Sequence, residues 1–405
     1  MRRCRRQDDS RSRRSTGSSS PGTDGRALVV AFSLFLAACT PELPVLFPFD
    51  AGMVPSVVGG RFLSLGHRHT CELRAGKIRC WGDGTSGQLG SGATRKEASP
   101  VTLEAGADWT SLSTGERHTC GLKQDGSVWC FGGNQAGQLG VGDLTSRLVP
   151  ARVTLPGPAR SVSAHYSHTC AVLFDDSGWC WGSNWEGQLG LNDPYPGADQ
   201  PAPQPVFGGL RWKVLEAGDG HTCGVDSDGA LWCWGRNVRS MLGLGAGAAG
   251  QVRPPTRIGT DTDWAALSPS QEGTCGVTTS EGLRCWGVKF EDPNLMSTRD
   301  VPLDVYPGRW RAFRIDTFHA CGLQLDGSLW CIGRGIEGQL GLGDFLERRT
   351  LTRVGTDTDW VELQVGRFHT CARKANGTLW CTGQGNDGQL GAGDFNRRSS
   401  FALVP

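Results

Sequence analysis

Between residues 118 and 131 apolar and polar positions alternate in two short runs, His118-Thr119-Cys120-Gly121-Leu122 and Val128-Trp129-Cys130-Phe131, with Gln124-Asp125-Gly126 between them. Period-two alternation on either side of Asp-Gly predicts two antiparallel strands closed as a hairpin. A three-residue loop with Gly126 in the left-handed region sets Leu122 opposite Val128, Gly121 opposite Trp129 and Cys120 opposite Cys130. The unit returns with first cysteines at 71, 120, 170, 223, 275, 321 and 371, at intervals of 49, 50, 53, 52, 46 and 50 residues. A period near 50 marks an array of supersecondary units. Each unit reads as a strand with a leading aromatic (Phe62, Trp109, Trp212, Trp264, Trp310, Trp360), the hairpin, a Gly-Gln-Leu-Gly turn and a Pro/Val strand such as Pro150-Ala151-Arg152-Val153. No long segment of period 3.6 interrupts them. Four short strands per unit, seven times over, predict an all-β, seven-bladed β-propeller over residues 62–405, with four-stranded blades and one disulfide-stapled hairpin per blade.

The first unit fixes the hairpin register. Its cysteines, Cys71 and Cys80, are one residue closer than the others, and a two-residue loop at Ala75-Gly76 again sets them opposite each other. Directly opposed antiparallel residues have Cα atoms roughly 4.5–5.5 Å apart, within reach of a disulfide. The expected bridges are Cys71–Cys80, Cys120–Cys130, Cys170–Cys180, Cys223–Cys233, Cys275–Cys285, Cys321–Cys331 and Cys371–Cys381. Each closes a short loop, for at most about 2.5–3 kcal/mol of chain entropy.

In the same register Gly121/Trp129, Ala171/Trp179, Gly224/Trp232, Gly322/Trp330 and Ala372/Trp380 face each other, which reads as an indole laid over a residue with little side chain, and as core. Glu72/Arg79 replaces this pair in the first unit with opposite charges, and Gly276/Arg284 in the fifth loses the ring. His69, His118, His168, His221, His319 and His369 stand two residues before the first cysteine. A Cys/Cys/His metal site is geometrically conceivable there, but Cys-x9-Cys is not a usual zinc spacing. Gly273 lacks the ligand in the fifth unit, and recurrence favours histidines that hydrogen-bond backbone at blade turns. Asp143, Asp344 and Asp394 read as turn residues. Neither a Ser/His/Asp set nor a carboxylate pair stands apart from the repeat, so no enzyme, cofactor or metal is expected.

Gly-x-x-His-[Thr/Ala]-Cys, Asp-Gly-x-x-Trp-Cys-x-Gly and Gly-Gln-Leu-Gly together resemble the regulator of chromosome condensation repeat, over residues 62–405. The resemblance implies a seven-bladed propeller used for protein binding, or guanine nucleotide exchange on a small GTPase as in its eukaryotic members. Ser399 to Val404 matches the Pro/Val strand that precedes each leading aromatic, and is expected to join the first blade as a clasp, with Pro55-Ser56-Val57-Val58 competing for the place.

Residues 1–38 read as a targeting segment: a basic start from Arg2 to Arg14, an apolar run from Ala27 to Leu36, and Leu36-Ala37-Ala38-Cys39. Ten apolar residues are too few to span a bilayer as a helix but suit a signal-peptide core. The small residues before Cys39 resemble the bacterial lipoprotein cleavage box, which implies that Cys39 is lipidated. Residues 39–61 follow as a Pro-rich spacer. With Cys4 in the leader and Cys39 lipidated, the sixteen cysteines leave seven pairs, the usage of an oxidising compartment. Beyond residue 38 there are 33 basic and 37 acidic residues without a lysine/arginine run, a poor match to nucleic acid.

Function is expected where the repeat breaks. The third unit inserts Asp193 to Pro201, the fourth replaces its turn with Arg236 to Met241, and the fifth with Lys289 to Met296. Equivalent places in adjacent blades put these loops on one side of the disc, with Tyr195, Arg236, Arg239, Met241, Phe290 and Met296 as candidate anchors for a protein or polysaccharide. The expected molecule is a monomeric, non-enzymatic scaffold, lipid-anchored in the bacterial cell envelope. Exchange on a small GTPase is the alternative.

Overall fold

The structure, a computed structural model, describes residues 62–191, 197–248, 250–292 and 297–405. The expected leader, Cys39 and the spacer lie outside these residues, as do Tyr195 and Met296. The described chain forms seven four-stranded antiparallel sheets. The first blade is β1 (Leu63–Leu65), β2 (His69–Arg74), β3 (Lys77–Gly82) and β4 (Glu97–Thr102). The second is β5 (Trp109–Thr114), β6 (His118–Lys123), β7 (Val128–Gly132) and β8 (Arg147–Arg152), and the other five repeat this order. First strands are innermost: a central channel with about 50 Å³ of free space is lined by Ser64, Thr114, Ala164, Glu216, Ser268, Arg314 and Gln364, one from each blade.

All seven hairpins take the expected register, with Cys71 opposite Cys80 and Cys120 opposite Cys130. Lys123 N–H bonds the Ser127 carbonyl. Counting back from that bonded pair puts the cysteines at a non-hydrogen-bonded position, where facing side chains come closest. The Cα atoms are 4.1 Å apart in every bridge.

Three expectations need correction. The tryptophans opposite the small residues are only half-buried. The space above Gly121 is taken by Trp109: a Cβ built on Gly121 would stand 2.6 Å from that ring, and Gly224, Gly276 and Gly322 meet Trp212, Trp264 and Trp310 in the same way. The inner-strand rings are thus the core, and the third-strand rings its rim; Trp129 bonds outward to Ser127 Oγ at 2.9 Å. Phe62 does not belong with those inner rings. It precedes Leu63, the counterpart of Leu112, and is 48% exposed, whereas Trp109 stands three residues ahead of Leu112.

The clasp is also absent. Residues Arg398–Val404 pair with the third strand of their own blade, Cys381 opposite Ala402, while the first blade takes all four strands from residues 63–102. The ring shuts by packing. Leu63, Leu65 and Trp81 of the first blade share an apolar cluster with Cys371, Leu379, Cys381, Leu390 and Val404 of the seventh. The other clusters straddle neighbouring blades in the same way: Cys71, Ile78 and Leu89 pack against Trp109, Leu112 and Phe131. Burial of apolar area between blades drives the ring together, at roughly 25 cal/mol per Å².

Candidate partner-binding face

The connections between first and second strands, and between third and fourth, open on one face of the disc. Gly133 N–H bonding the Arg117 carbonyl ties the two kinds of loop together. The histidines stand at the start of the second strand, fully buried, and their partner corrects the backbone bond expected of them. Each reaches a threonine of the next blade. His118 Nε2 is 2.9 Å from Thr169 Oγ1, and Thr169 donates to the Gln138 carbonyl at 3.0 Å. Since the hydroxyl's one proton goes to that carbonyl, Nε2 carries the imidazole proton. The threonine is clamped by the histidine and the Gly-Gln-Leu-Gly turn of the preceding blade. Ring closure uses the same device, with Thr70 held by His369 at 2.8 Å and the Gln389 carbonyl at 2.9 Å. Burial holds these histidines neutral: it lowers His69 to about 4, and His118, His221, His319 and His369 to about 3. With the sulfurs joined in pairs and the imidazoles engaged by threonine, this part of the motif is scaffold, not a ligand set. Asp143 is a turn residue as expected, bonding the Thr145 N–H at 2.8 Å and Arg147 at 2.6 Å.

The loops on this face converge at the channel mouth. Arg367 Nη1 donates to His67 Nδ1 at 3.3 Å, and a Glu116 oxygen lies 3.9 Å from the same nitrogen. Across the mouth the rings of His67 and His165 are 6.3 Å apart, and those of His67 and Tyr166 5.6 Å. Burial, then the charges of His165 and Arg367, hold His67 well below the usual imidazole range. Asp219 is 8% exposed, and among the described residues no hydrogen bond or ion pair reaches its carboxylate. Burial raises its pKa and Asp316 adds to the rise, while the nearby His165 charge opposes it. The Nδ1 atom of His165 is also buried without a partner among the described residues.

The described parts of the three irregular loops join third to fourth strands and so open on this same face, and their described candidate anchors divide. Met241 is 2% exposed and Phe290 7%. Met241 stands where other units have glutamine, its carbonyl accepting from Thr274 at 3.0 Å, and Phe290 packs with Trp310, Phe313 and Ile332. Both fill the core and cannot meet a partner. Arg236 is half-buried against Gly220. Arg239 crosses to the fifth blade, 2.7 Å from Glu272. Trp185, which sequence reasoning passed over, stands 69% exposed at the tip of the third blade's turn. Asn184 beneath it accepts the Leu189 N–H at 3.2 Å, and Gln251 of the fourth blade donates to the Trp185 carbonyl at 3.4 Å. Its signal was present, since Thr85, Gln135, Val238, Ile336 and Asn386 stand at that offset elsewhere, and Phe290, the other aromatic there, is buried.

The regulator of chromosome condensation repeat matches residues 75–122, 125–172, 175–225 and 326–373, and a second description of the same repeat matches 109–138, 213–240 and 360–389. The chain is similar to the ultraviolet-B receptor UVR8 of Arabidopsis thaliana, 32% identical over 298 residues, which is 70% of this chain and 55% of that protein. It therefore spans about half the length of the curated relative it matches. Among solved structures, human WBSCR16 superposes with a TM-score of 0.72 at 20% identity, covering 81% of this chain and 94% of that one. Prp20p of Saccharomyces cerevisiae, whose structure was described with its binding to Gsp1p and histones, gives 0.71 at 20% identity, covering 84% and 88%. At such identity these two likenesses speak for the fold alone.

Proposed function

From the chain's membership of the regulator of chromosome condensation repeat family, to which it belongs, we propose that it is a non-enzymatic protein-binding scaffold anchored outside the cytoplasm. The observation that carries this reading is the contrast on one face of the disc. The motif histidines, threonines and glutamines there are engaged between blades, while the Asp219 carboxylate is buried without a hydrogen bond among the described residues and the Trp185 ring stands exposed, its side chain bonded to Asp199. A partner that brings a cationic group to the mouth and an apolar surface to Trp185 would satisfy both. Exposed tryptophan is the residue type that most often anchors such contacts. Seven bridges are those of an oxidising compartment. The leader ending at Cys39 supports lipid attachment there. The same compartment weighs against exchange on a cytosolic GTPase.

Cross-linking on intact cells, followed by identification of what is captured, tests the scaffold. Capture of a defined protein should fall at least tenfold in Trp185→Ala and Asp219→Asn. It should survive Phe174→Ala, which changes a 66% exposed ring at a hairpin tip on the opposite face. Equal capture by all three variants would discard this face. Metabolic labelling with a fatty-acid analogue should mark the full chain and not Cys39→Ser; label retained by that variant would discard the anchor.

A further inference from the structure

Six of the seven junctions between blades carry the histidine–threonine clamp, and the fifth-to-sixth junction has lost both halves of it. Gly273 stands in place of the histidine and Ala320 in place of the threonine, while Ile332 stands where Trp181 and Trp234 bond a carbonyl of the preceding turn. The loss bears on the neighbouring disulfide. At other junctions the threonine hydroxyl covers a bridge sulfur of the preceding blade, 3.8 Å from Cys71 Sγ, 3.9 Å from Cys120 Sγ and 3.9 Å from Cys321 Sγ. Ala320 offers Cys275 no such cover. Twelve of the bridged cysteines are 0% exposed, whereas Cys275 is 2% and Cys285 7% exposed. Leu303, directly opposite Cys285 in the outer strand, lines an open groove of about 650 Å³ together with Lys289 and Arg299. The groove is charge-balanced, Lys289 and Arg299 standing with Glu291 and Asp300 and Arg299 paired to Glu291 at 2.8 Å, so an anionic thiolate meets no net repulsion there.

We propose that Cys275–Cys285 is a thiol-exchange site, the one bridge of the seven that a small thiol or a dithiol reductase opens while the disc stays folded. The thiolate attacks Cys285 Sγ, the S–S bond breaks, and Cys275 leaves as a thiolate that takes up a proton. A second thiolate attacks the reductant's sulfur in the mixed disulfide. It frees Cys285 and leaves two cysteine thiols and one oxidised disulfide of the reductant. Opening the bridge releases the hairpin beside the junction that already lacks its clamp, and beside the irregular loop of the fifth blade.

The test is graded reduction of the full-length protein with glutathione, with alkylation of free thiols and peptide mapping at each time, and tryptophan fluorescence as the monitor of fold. Cys275 and Cys285 should take label at least tenfold faster than the other twelve while fluorescence is unchanged, with the transient glutathione adduct on Cys285. Seven bridges opening at one rate, or another bridge opening first, would each overturn the assignment.

Discussion

Thr169 shows how much of this fold rests on single polar atoms. Its hydroxyl lies between His118 Nε2 and the Gln138 carbonyl, all three buried, so neither neighbour has water to turn to. Thr169→Val keeps the shape and strands the buried His118 Nε2–H, while the Gln138 carbonyl keeps its bond from Trp181 Nε1 at 3.0 Å, so stability should fall by about 1–3 kcal/mol. Urea unfolding measures it, and a variant as stable as the parent would show that the clamp contributes little. The histidines make the fold sensitive to acid. Their folded pKa values lie below the unfolded value near 6.5, so their contribution is complete above about pH 6.5 and is lost as pH falls toward the folded values of about 3–4. Each histidine contributes a slope of up to roughly 1.4 kcal/mol per pH unit in that window. Asp219 and Glu362, raised by burial, act in the opposite sense at lower pH. Melting temperature should therefore drop between pH 7 and pH 5, and a flat profile there would mean that the imidazoles are protonated in the folded state. The sixfold histidine was legible in the sequence, but its partner was not. His118 and Thr169 are 51 residues apart, one repeat period, and periodicity alone does not say whether same-phase residues of neighbouring units touch.

The hairpin is the element that the sequence describes best. Its register could be read because Cys71 and Cys80 move one residue closer just where the loop shortens by one, a coincidence that opposed sulfurs explain. What the small residue is for could not be read. Gly121 faces Trp129 across the hairpin, yet the ring that needs its space is Trp109, from the strand on the other side. A register shift between Trp109 and Ser111 brings that ring over Gly121, and a simple count of alternating positions does not anticipate it. The two rings should therefore differ in importance. Trp109→Ala, which empties a buried site, should cost about 3–5 kcal/mol, and Trp129→Ala at the rim a good deal less. Equal losses in thermal unfolding would mean that both rings belong to the core. The irregular loops were legible as departures from the repeat but not in detail. Met241 and Phe290 looked like anchors because they break the motif, yet both turn inward, Met241 at a place other units give to glutamine and Phe290 into the cluster of Trp310 and Phe313.

At the scale of the molecule, seven units and four strands per unit followed from the period, while the closure did not. The last strand has the same composition as every outer strand, so its fit to the seventh blade and to the first looked alike in sequence; its pairing with Cys381 decides for the seventh. The partner face was legible only in outline, because a channel mouth is assembled from one loop of each blade. Glu116, His165, Asp219 and Arg367 come together from four different blades, where each reads as an ordinary turn residue.

With each blade complete in itself, the junction between the seventh and first blades is held by the same kind of contacts as the others: a clamped threonine, an indole bonded to a turn carbonyl, and a shared apolar cluster. Joining residue 405 to residue 62 by a short linker and cutting instead at the exposed connector near Gly208-Gly209 should yield a circular permutant that refolds to the same disc. By the same logic, a duplication in the gene is free to copy any one unit without having to rebuild a strand shared between the two ends.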